Sequence, residues 1–548
     1  MGNNNKLTPA RVHDTKYGKT IFYKNRNIYS NYNPEQTTIR RVSSIVLKPQ
    51  TLYFIPSPGL GYGIKELAEK LPKDSFLLCV EADPCLSEII DDETIGSRLP
   101  FLCKKYEHSL SLIHSTDPVL IVTQIHKIGI SKFRRINKLY LTGGVAILSN
   151  EYEKIFNALQ TTISTFWQNK ITLISLARLW SSNLIANLPD YSKSTSLNCI
   201  KINSPVIVCG AGPSLNDSIS LLKENRKYFF LLAVDTAYAS LSAHQLKPDA
   251  ILILEAQQIN LSDFVYNLDR NIPIIADLTS STAVIRNFMG PKFFFVSRYQ
   301  NLNIFTRLAK ANLLPLMIEP LGSVGVTAVR VALEITTNHI FTVGLDFSYP
   351  NKKAHANGSP SHLLSLQNST RLLTQLTQNL SALYKRPLIK IHREDGSSVL
   401  SDLVLTSYSK ELKYLCSLHK GRIIDLSGQG ILFTKTLTSV SELKLLFNKI
   451  APLNQYKMSP ELSVEDKYST TNNFLMNEQI LISKMVRELT NREQPITAKL
   501  LHKLSYLFVH EPDFELGQKD ISKSLSARMI NHCKRINTHI EKVINSLI

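Results

Sequence analysis

The chain has 548 residues, of which 43% are apolar and 20% are charged, and no stretch approaches the roughly 18 consecutive apolar residues that a membrane-spanning helix needs. This length and composition exclude a disordered polypeptide and an integral membrane protein, and at about 100–200 residues per domain they predict about three folded domains. Lysine and arginine outnumber aspartate and glutamate by 63 to 44, which gives a formal net charge of +19 and favours anionic partners.

The N-terminal third predicts an irregular polar arm, residues 1–40, and a Rossmann-like accessory domain, residues 41–195. The segment from Ser43 to Pro84 reads as strand, glycine turn, helix and strand, and Glu81 closes the second strand. Three further elements are predicted from hydrophobic pattern and polarity: a strand at 118–124, a helix at 152–170 and a linker at 188–204.

A glycine turn at 59–63 is followed by Glu81 about twenty residues later. This spacing is similar to that of a dinucleotide-binding or methyl-donor-binding site. An active site of this kind would make the protein an oxidoreductase or a methyltransferase. Chemically active residues do not cluster beyond the turn in the sequence, so we interpret it as a structural glycine turn in an accessory domain.

The central residues, 196–435, predict a mostly parallel, doubly wound sheet with helices on both faces, because short apolar runs alternate with helical segments. The runs lie at 206–209, 229–235, 250–255, 273–277, 293–297, 316–319 and 340–346. Several of them end on a residue capable of polar contacts: Cys209, Asp235, Glu255, Asp277, Ser297, Glu319 and Asp346. Ligands of open parallel sheets bind outside the carboxyl ends of the strands, where the strand order reverses, so we expect the functional site at this edge.

The first apolar run ends in the turn Gly210-Ala211-Gly212-Pro213-Ser214. Glycines permit close backbone approach, and proline suits the first turn of a helix because its missing N–H group would be unpaired there. Backbone N–H groups and the Ser214 hydroxyl at such a helix start can bind a phosphate without a lysine. Taken alone, the turn fits a tight structural connection equally well.

The remaining residues, 436–548, predict a helical domain. Apolar residues recur in the last segment at intervals of three and four, which indicates an amphipathic helix packed in a bundle. These residues are Leu525, Met529, Cys533, Ile536, Ile540, Val543 and Leu547.

Five central motifs occur in an order that resembles one known family. They are CGAGPSL (209–215), AVDTAY (233–238), KPDAILILEAQ (247–257), PLGSVGVTAVRVAL (320–333) and VGLDFSYPNKKAHANG (343–358). Together they resemble the motility-associated factor (Maf) family of bacterial flagellin glycosyltransferases, whose central domain is similar to that of sialyltransferases using a CMP-activated sugar. The segment YFIPSPGLGYGIKELAE (53–69) is similar to the family's accessory N-terminal domain, so the resemblance spans most of residues 40–548.

The resemblance implies a role for each matching position. Gly210, Gly212 and Ser214, in the turn that also contains Ala211 and Pro213, would hold the nucleotide phosphate. Asp235 would contact the nucleoside, beside Glu255 at the next strand end. The remaining implied residues are Gly322 and Ser323 at the phosphate or the donor carboxylate, and Asp346, Tyr349 and His355 beside the reacting centre. The chain departs from the family patterns at Ala211, where sialyltransferases carry Asn, and at Glu255, where Maf proteins more often carry Asp.

Each implied residue also has a structural interpretation. Asp235 and Asp346 are placed where aspartate commonly caps a turn or a helix, and Ser323 is placed to cap a helix over 324–337. The acceptor hydroxyl needs a base, for which His355 and His362 are both candidates near neutral pH. The sequence lacks an Asp-x-Asp metal motif of the kind that holds a nucleoside-diphosphate donor, so we predict no metal and no other required cofactor.

We therefore predict a cytoplasmic glycosyltransferase that transfers a nonulosonic acid, of the pseudaminic or legionaminic acid type, from a CMP-sugar to serine or threonine of flagellin. The N-terminus lacks a secretory signal and the seven cysteines form no CxxC pair, both of which favour a reducing cytoplasm, and no nucleic-acid-binding module is recognised. The central domain also resembles archaeal enzymes that pyrophosphorylate 6-hydroxymethylpterin (MptE-like proteins). One alternative is therefore an ATP- and Mg²⁺-dependent 6-hydroxymethylpterin diphosphokinase-like enzyme with Asp235, Glu255 and Asp346 as metal ligands. Another is a flagellin-binding protein without catalytic activity.

Overall fold

The computed structural model describes residues 9–265, 268–298, 302–393, 396–437, 457–458, 464–491, 497–514 and 521–547. The chain divides into two compact units, Met1–Leu173 and Ile174–Ile548. Both contain parallel sheets with helices on their faces, which confirms the predicted multidomain α/β class. In the described part of the chain, no helix has the length and apolar character required to cross a bilayer.

The first unit opens with ordered elements where we predicted an irregular arm. These are β1 (Arg11–Thr15), β2 (Gly18–Tyr23), β3 (Arg26–Asn27) and α1 (Pro34–Ser43), and the three strands form an antiparallel sheet. Lys24 and Asn25 connect β2 to β3 with φ angles of 46° and 60°. Two consecutive left-handed residues are typical of the type I′ turn, which suits a hairpin. The prediction was wrong because these short polar strands lack a run of apolar residues.

A four-stranded parallel sheet in the order β6-β5-β4-β7 forms the centre of the first unit. Its elements in chain order are β4 (Thr51–Pro56), α2 (Ile64–Glu69), β5 (Phe76–Glu81), α3 (Pro84–Asp91), α4 (Leu99–Lys105), β6 (Leu110–His114), α5 (Pro118–Ile128) and β7 (Arg135–Lys138). Alternate residues of β4 enter separate apolar cores, Phe54 in one and Tyr53 in the other. This arrangement confirms the predicted Rossmann-like half.

The strand predicted at 118–124 is instead the first part of α5. Asp117 caps this helix, because its carboxylate accepts a 2.8 Å hydrogen bond from the backbone N–H of Val119. Ile121 and Ile125 are buried, one helical turn apart, whereas Leu120 is 60% exposed. A continuous apolar run does not distinguish a buried strand from a short helix, and here the N-terminal cap decides for the helix.

A single helix, α6 (Ser149–Ser192), includes the helix predicted at 152–170 and the first five residues of the linker predicted at 188–204. The strands β8 (Thr195–Ser196) and β9 (Ile200–Lys201) follow it. Within the second unit, the side-chain amide of Asn187 donates to the carbonyl oxygens of Leu278 and Ser280 at 3.0 and 2.8 Å. The unit boundary accordingly falls at residue 173 and not at residue 195.

The second unit is built on a nine-stranded sheet whose strand pairs are all parallel. Its later strands are β10 (Val206–Cys209), β11 (Phe230–Val234), β12 (Ala250–Ile253), β13 (Ile274–Asp277), β14 (Lys292–Ser297), β15 (Leu316–Ile318) and β16 (Ile340–Val343). An antiparallel hairpin, β17 (Leu388–His392) and β18 (Ser398–Asp402), precedes β19 (Ile423–Asp425), and β20 (Lys457–Met458) pairs with β9. The order is β15-β14-β13-β12-β11-β10-β16-β19, and β8 pairs with β14.

Eleven described helices follow α6 in the second unit, and several of them pack on the two faces of this sheet. They are α7 (Leu215–Asn225), α8 (Asp235–Ala243), α9 (Thr282–Asn287), α10 (Asn303–Lys310), α11 (Val324–Ile335), α12 (Pro360–Gln367), α13 (Gln375–Leu383), α14 (Leu403–Leu418), α15 (Val464–Thr490), α16 (Ala498–Leu504) and α17 (Lys523–Asn545). The predicted apolar stripe of α17 is buried in the same core as Ile251 and Phe294 of the sheet. The described C-terminal helices therefore belong to the second unit and are not a separate domain.

A pair of buried histidines lies among these C-terminal helices. The rings of His510 and His532 have centroids 4.5 Å apart, and among the described residues neither ring nitrogen of His532 has a hydrogen-bond partner. Burial lowers the pKa of His532 to about 3, and the positive charges of His510, Arg178 and Arg535 act in the same direction. His532 is therefore neutral in the folded protein over the whole physiological range.

We expect the free energy of unfolding to fall when the medium is acidified, because only the unfolded chain takes up a proton at His532. The contribution is complete above the ordinary histidine pKa of about 6.5 and is lost as the pH falls toward 3. Between pH 7.5 and 5.5 the unmodified protein should lose about 1.4 kcal/mol more than a His532→Leu variant in urea titrations. Replacement of exposed His392 by leucine is the matched control. Equal pH dependence in the unmodified protein and His532→Leu would contradict the expectation.

Candidate functional site

The strand order of the large sheet reverses between β10 and β16. From β10 the chain adds β11 to β15 on one side and then returns to place β16 on the other side of β10. The loops that follow β10 and β16 therefore meet at the carboxyl edge of the sheet, where ligands of such folds bind. This is the edge at which the sequence predicted a functional site.

The two loops pack backbone to backbone. The N–H of Gly212 donates to the carbonyl oxygen of Gly344 at 2.8 Å, and Gly344 has a φ angle of 67°. A Cβ atom on Gly210 would overlap that same carbonyl oxygen and lie 2.5 Å from Leu345 Cδ2. A Cβ on Gly212 would overlap the carboxylate of Asp346. The glycines are needed for this close approach, irrespective of any ligand.

Replacement of Gly210 by alanine should lower the free energy of unfolding by about 1–3 kcal/mol, since its neighbour is a backbone carbonyl that cannot move aside easily. Chemical denaturation of the whole chain measures the change. Gly143→Ala is the control, because a Cβ there would have its nearest neighbour at an ordinary 3.5 Å. Equal stability of the two variants would show that the contact at Gly210 is not tight.

Asp346 occupies the start of α7. Its carboxylate accepts hydrogen bonds from the Ser214 backbone N–H, at 3.0 Å, and from the Ser214 hydroxyl. Burial raises the pKa of Asp346 to about 6, against the effect of these hydrogen bonds, and the charges of Asp425 and Asp217 add to the increase. Ser214 is fully buried. The Ser214 hydroxyl and N–H, two of the groups that we predicted for a phosphate, are thus bonded to Asp346, whose carboxylate occupies this helix start.

The backbone beside Asp346 is strained. Phe347 has a φ angle of 47°, a region that residues with large side chains rarely adopt. The surrounding contacts hold it there: the Ser401 hydroxyl donates to the Phe347 carbonyl oxygen at 2.8 Å, and the ring packs edge-on against Phe433 with centroids 5.8 Å apart. Strain of this kind clusters at functional sites, which supports a functional interpretation of the loop.

Asp235 and Glu255 lie at the next two strand ends but have different surroundings. Asp235 is buried. The side-chain amide of Asn260 donates one hydrogen bond to the carboxylate of Asp235 and one to that of Asp263, each at 2.8 Å. Burial raises the pKa of Asp263 to about 6, and the neighbouring charge of Asp235 raises it further. Glu255 is exposed and accepts a 2.9 Å hydrogen bond from the N–H of Gln257. Asn260 and Asp263 were missed because their segment carries no strand or helix pattern.

The predicted turn at Gly322 and Ser323 is covered by α14. The ring of Tyr408 lies where a Cβ of Gly322 would be, and the N–H of Gly322 donates to Glu411 Oε2 at 3.2 Å. The Ser323 hydroxyl accepts from the N–H of Gly325 at 3.2 Å and caps α11. Ser323 therefore caps a helix, which was the structural interpretation of this residue. Tyr408 and Glu411, about 85 residues downstream, were not predicted as site residues.

Tyr349 links the loop to the β17–β18 hairpin. Its hydroxyl donates to Asp402 Oδ2 at 2.7 Å, and its N–H donates to the carbonyl oxygen of Leu400 at 2.8 Å. Burial together with the Asp402 contact raises the pKa of Tyr349 to about 12, so the phenol keeps its proton. Asp402 also caps α14 and was missed as a site residue.

The two candidate histidines lie on one anchored segment after the loop. The N–H of Ala356, next to His355, donates to the carbonyl oxygen of Ala211 at 2.8 Å. His355 is open to solvent on one side, yet the protein around it lowers its pKa by desolvation. His362 is half-buried, and its Nδ1 accepts a 3.1 Å hydrogen bond from the N–H of Gly358. Its Nδ1 is thereby occupied, which leaves His355 as the more accessible base.

The remaining strand-end side chains have structural partners. Asp277 accepts from the N–H groups of Thr279 and Ser297, both at 2.7 Å, and Glu319 pairs with Arg330 at 3.0 Å. In the described part of the chain, no group of three His, Cys, Asp or Glu side chains is placed to share one metal ion.

The glycine turn of the first unit is filled by the protein itself. The hydroxyl of Tyr29 donates to the carbonyl oxygen of Pro58 at 2.9 Å and lies 2.5 Å from where a Cβ of Gly59 would be. Glu81 is 1% exposed and accepts hydrogen bonds from Ser57 and Tyr152 at 3.0 and 2.7 Å. These contacts favour the structural interpretation of the turn.

Comparisons with known proteins show what the chain is similar to. Residues 182–352 match the family model described as "6-hydroxymethylpterin diphosphokinase MptE-like". The chain is 28% identical to an uncharacterized protein of Treponema pallidum (strain Nichols) over 537 residues, which cover 93% of this chain and 91% of the relative. Its fold is similar to that of the MAf glycosyltransferase from Magnetospirillum magneticum AMB-1, with a TM-score of 0.51, 13% identity and coverage of 98% and 91% of the two chains. The predicted resemblance to Maf and MptE-like proteins is thus confirmed at the level of the fold.

Proposed function

We propose that this chain is a glycosyltransferase that moves a nonulosonic acid, of the pseudaminic or legionaminic acid type, from a CMP-activated donor to serine or threonine of flagellin in the cytoplasm. The observation that carries the proposal is the meeting of the β10 and β16 loops at the point where the strand order reverses. Similarity to a MAf glycosyltransferase along nearly the whole chain supports the reaction class.

The proposed reaction uses His355 as the base. The acceptor oxygen bonds to the anomeric carbon of the sugar while the bond from that carbon to the phosphate oxygen breaks. The proton of the acceptor hydroxyl passes to His355, whose lowered pKa keeps it neutral and able to accept the proton at pH 7. CMP leaves with the electron pair of the broken bond, and no metal ion is required in this scheme.

A change in the protonation state of Asp346 would allow the site to accept the negative charge of the phosphate. A phosphate that approaches the start of α7 must displace the carboxylate from Ser214 or bind beside it. The pKa of Asp346 is already about 6. A second negative charge nearby raises this pKa further, so that the carboxyl group is protonated at neutral pH. The neutral form can donate a hydrogen bond to the phosphate, so repulsion is replaced by attraction.

Mass spectrometry of flagellin from cells with and without the gene tests the proposal. We expect the deletion to remove the mass of one nonulosonic acid at each modified site, and an unchanged mass would refute the flagellin acceptor. Calorimetric titration of the purified protein with CMP tests the donor site separately, and the absence of heat would refute it. In a strain that lacks the gene, motility restored by the wild-type protein but not by Asp346→Ala or His355→Ala would refute a purely binding role, whereas restoration by all three proteins would refute a catalytic role of these two residues.

The MptE-like match favours a second candidate, a diphosphokinase that transfers pyrophosphate from ATP with Mg²⁺. This candidate needs Asp235, Glu255 and Asp346 to bind one metal ion together. In the described part of the chain they do not form such a group, since Asp346 bonds to Ser214 and Asp235 bonds to Asn260. Magnesium dependence separates the two candidates. A pterin pyrophosphorylation activity that disappears with EDTA would establish the second.

A further inference from the structure

The helical hairpin formed by α12 and α13 exposes an unusual amount of apolar surface. Leu372, in the connection between the helices, is 92% exposed, and Leu376 of α13 is 62% exposed. Four more large apolar side chains between residues 364 and 384 are at least 44% exposed: Leu364, Leu366, Leu373 and Tyr384. Clustered exposed apolar residues on a folded protein mark an interaction surface more often than isolated ones do.

The hairpin is an ordered element and not a loose loop. The side-chain amide of Gln378 in α13 donates to the carbonyl oxygen of Ser365 in α12 at 3.1 Å, which ties the two helices together. Ser359 caps α12 and Thr374 caps α13. The backbone of the two helices is therefore held in place, and binding costs less conformational entropy than it would on an unstructured loop.

The sequence that contains this hairpin carries only positive charge, although one of its basic residues, Arg386, pairs with Asp402 of β18 at 3.4 Å. Between Asp346 and Glu394 the sequence contains no aspartate or glutamate. It contains seven basic residues, namely Lys352, Lys353, Arg371, Lys385, Arg386, Lys390 and Arg393. Arg371, next to Leu372, and Lys385, next to Tyr384, are both exposed. A partner that covers this surface must combine apolar and acidic side chains.

The hairpin is also continuous with the candidate site. His362 lies in the first turn of α12 and is followed at once by the apolar residues. The preceding segment is fixed to α8, since the Ser240 hydroxyl donates to the carbonyl oxygen of Asn357 at 2.6 Å. A polypeptide bound on the hairpin would thus extend from the segment that carries both histidines.

We propose that the α12–α13 hairpin is a docking surface for an acidic, amphipathic helical segment of the acceptor protein, an inference that rests on the proposed transfer to a protein acceptor. Exposed leucines and Tyr384 would anchor the apolar stripe of that helix, and the basic residues around them would pair with its acidic edge. A membrane surface fits less well, because interfacial helices present one long apolar face whereas these helices have only eight and nine residues.

Fluorescence anisotropy with a labelled synthetic helix, leucine on one face and glutamate on the other, tests the proposal on the full chain. We expect saturable binding that weakens at least about ten-fold in a Leu372→Ser, Leu376→Ser double variant and in an Arg371→Glu, Lys385→Glu double variant. The matched control replaces Val119 and Leu120 by serine, since these are 70% and 60% exposed on α5 of the other unit. The same helix with lysine in place of glutamate should not bind.

Each contrary result has a defined meaning. Binding that is unchanged in both double variants, or equal for the glutamate and lysine helices, would overturn the docking surface. Binding to phosphatidylglycerol vesicles that the leucine substitutions abolish, without binding of the glutamate helix, would overturn it in favour of a membrane contact. Calorimetry with CMP on the same samples separates the two proposals. If CMP gives heat but the helix does not bind, the docking surface is refuted and the proposed transferase is not. If the helix binds but CMP gives no heat, only the proposed donor site is refuted.

Discussion

Replacement of Arg307 by alanine is expected to lower the free energy of unfolding by about 3–5 kcal/mol, because it would leave a buried carboxylate without its counter-charge. Glu478 of α15 is 1% exposed, and both of its oxygens bond to the Arg307 guanidinium. Tyr506 donates to the same carboxylate at 3.0 Å, and Arg307 also donates to the carbonyl oxygen of Lys503 at 3.1 Å. Urea denaturation of the full chain measures the loss.

A double variant distinguishes an uncompensated charge from a general packing defect. Replacement of Arg307 and Glu478 together by methionine removes both charges at similar volume, and we expect it to be more stable than Arg307→Ala by about 2 kcal/mol or more. Lys484→Ala, which breaks an exposed pair with Glu488 at 3.9 Å, should change stability by less than about 0.5 kcal/mol. If Arg307→Ala were no more harmful than Lys484→Ala, the pair could not be a main support of these helices.

Replacement of His355 by glutamine is expected to reduce kcat for sugar transfer by about 10²–10⁴-fold, the usual contribution of a general base. KM for the donor should change little, because the imidazole acts on the acceptor hydroxyl. Since desolvation lowers the pKa of His355, the rate of the unmodified enzyme should stay level at neutral pH and fall only below pH 6.5. Steady-state kinetics across pH 5–8 measure both effects.

His362→Gln is the matched control for that experiment. Its Nδ1 already accepts the Gly358 N–H, so its loss should lower kcat by less than about ten-fold and leave the shape of the pH profile unchanged. If His362→Gln were the more damaging change, the roles of the two histidines would have to be exchanged. If neither variant altered kcat, the base would lie elsewhere.

Most of the large sheet could be predicted from sequence because seven of its nine strands, β10 to β16, are short apolar runs. Seven of the predicted runs coincide with β10 to β16, although most of the observed strands are shorter by a few residues. The runs were predicted slightly too long because residues such as Asp235 start the following helix. The strands β8, at 195–196, and β19, at 423–425, were missed, and β8 lies in a polar stretch that gives no apolar pattern.

The contacts of the candidate site could not be predicted in the same way. The glycines of the 210–214 turn suggested a phosphate, but the close neighbour of Gly210 is the backbone of Gly344, which lies far away in sequence. The hydrogen bonds from Ser214 to Asp346 join residues 132 positions apart. Local pattern indicates that a turn needs glycine, but only the packed structure identifies what approaches it.

The distance in sequence between these two loops also affects the order in which the sheet can form during synthesis. β10 can pair with β11 soon after both have left the ribosome, but its other neighbour, β16, is translated more than a hundred residues later. Until then the free edge of β10 is an unpaired apolar strand, which can recruit strands from other nascent chains. The contact between the β10 and β16 loops is therefore absent from every nascent chain that has not yet reached β16, and slow translation between these strands would favour aggregation over assembly.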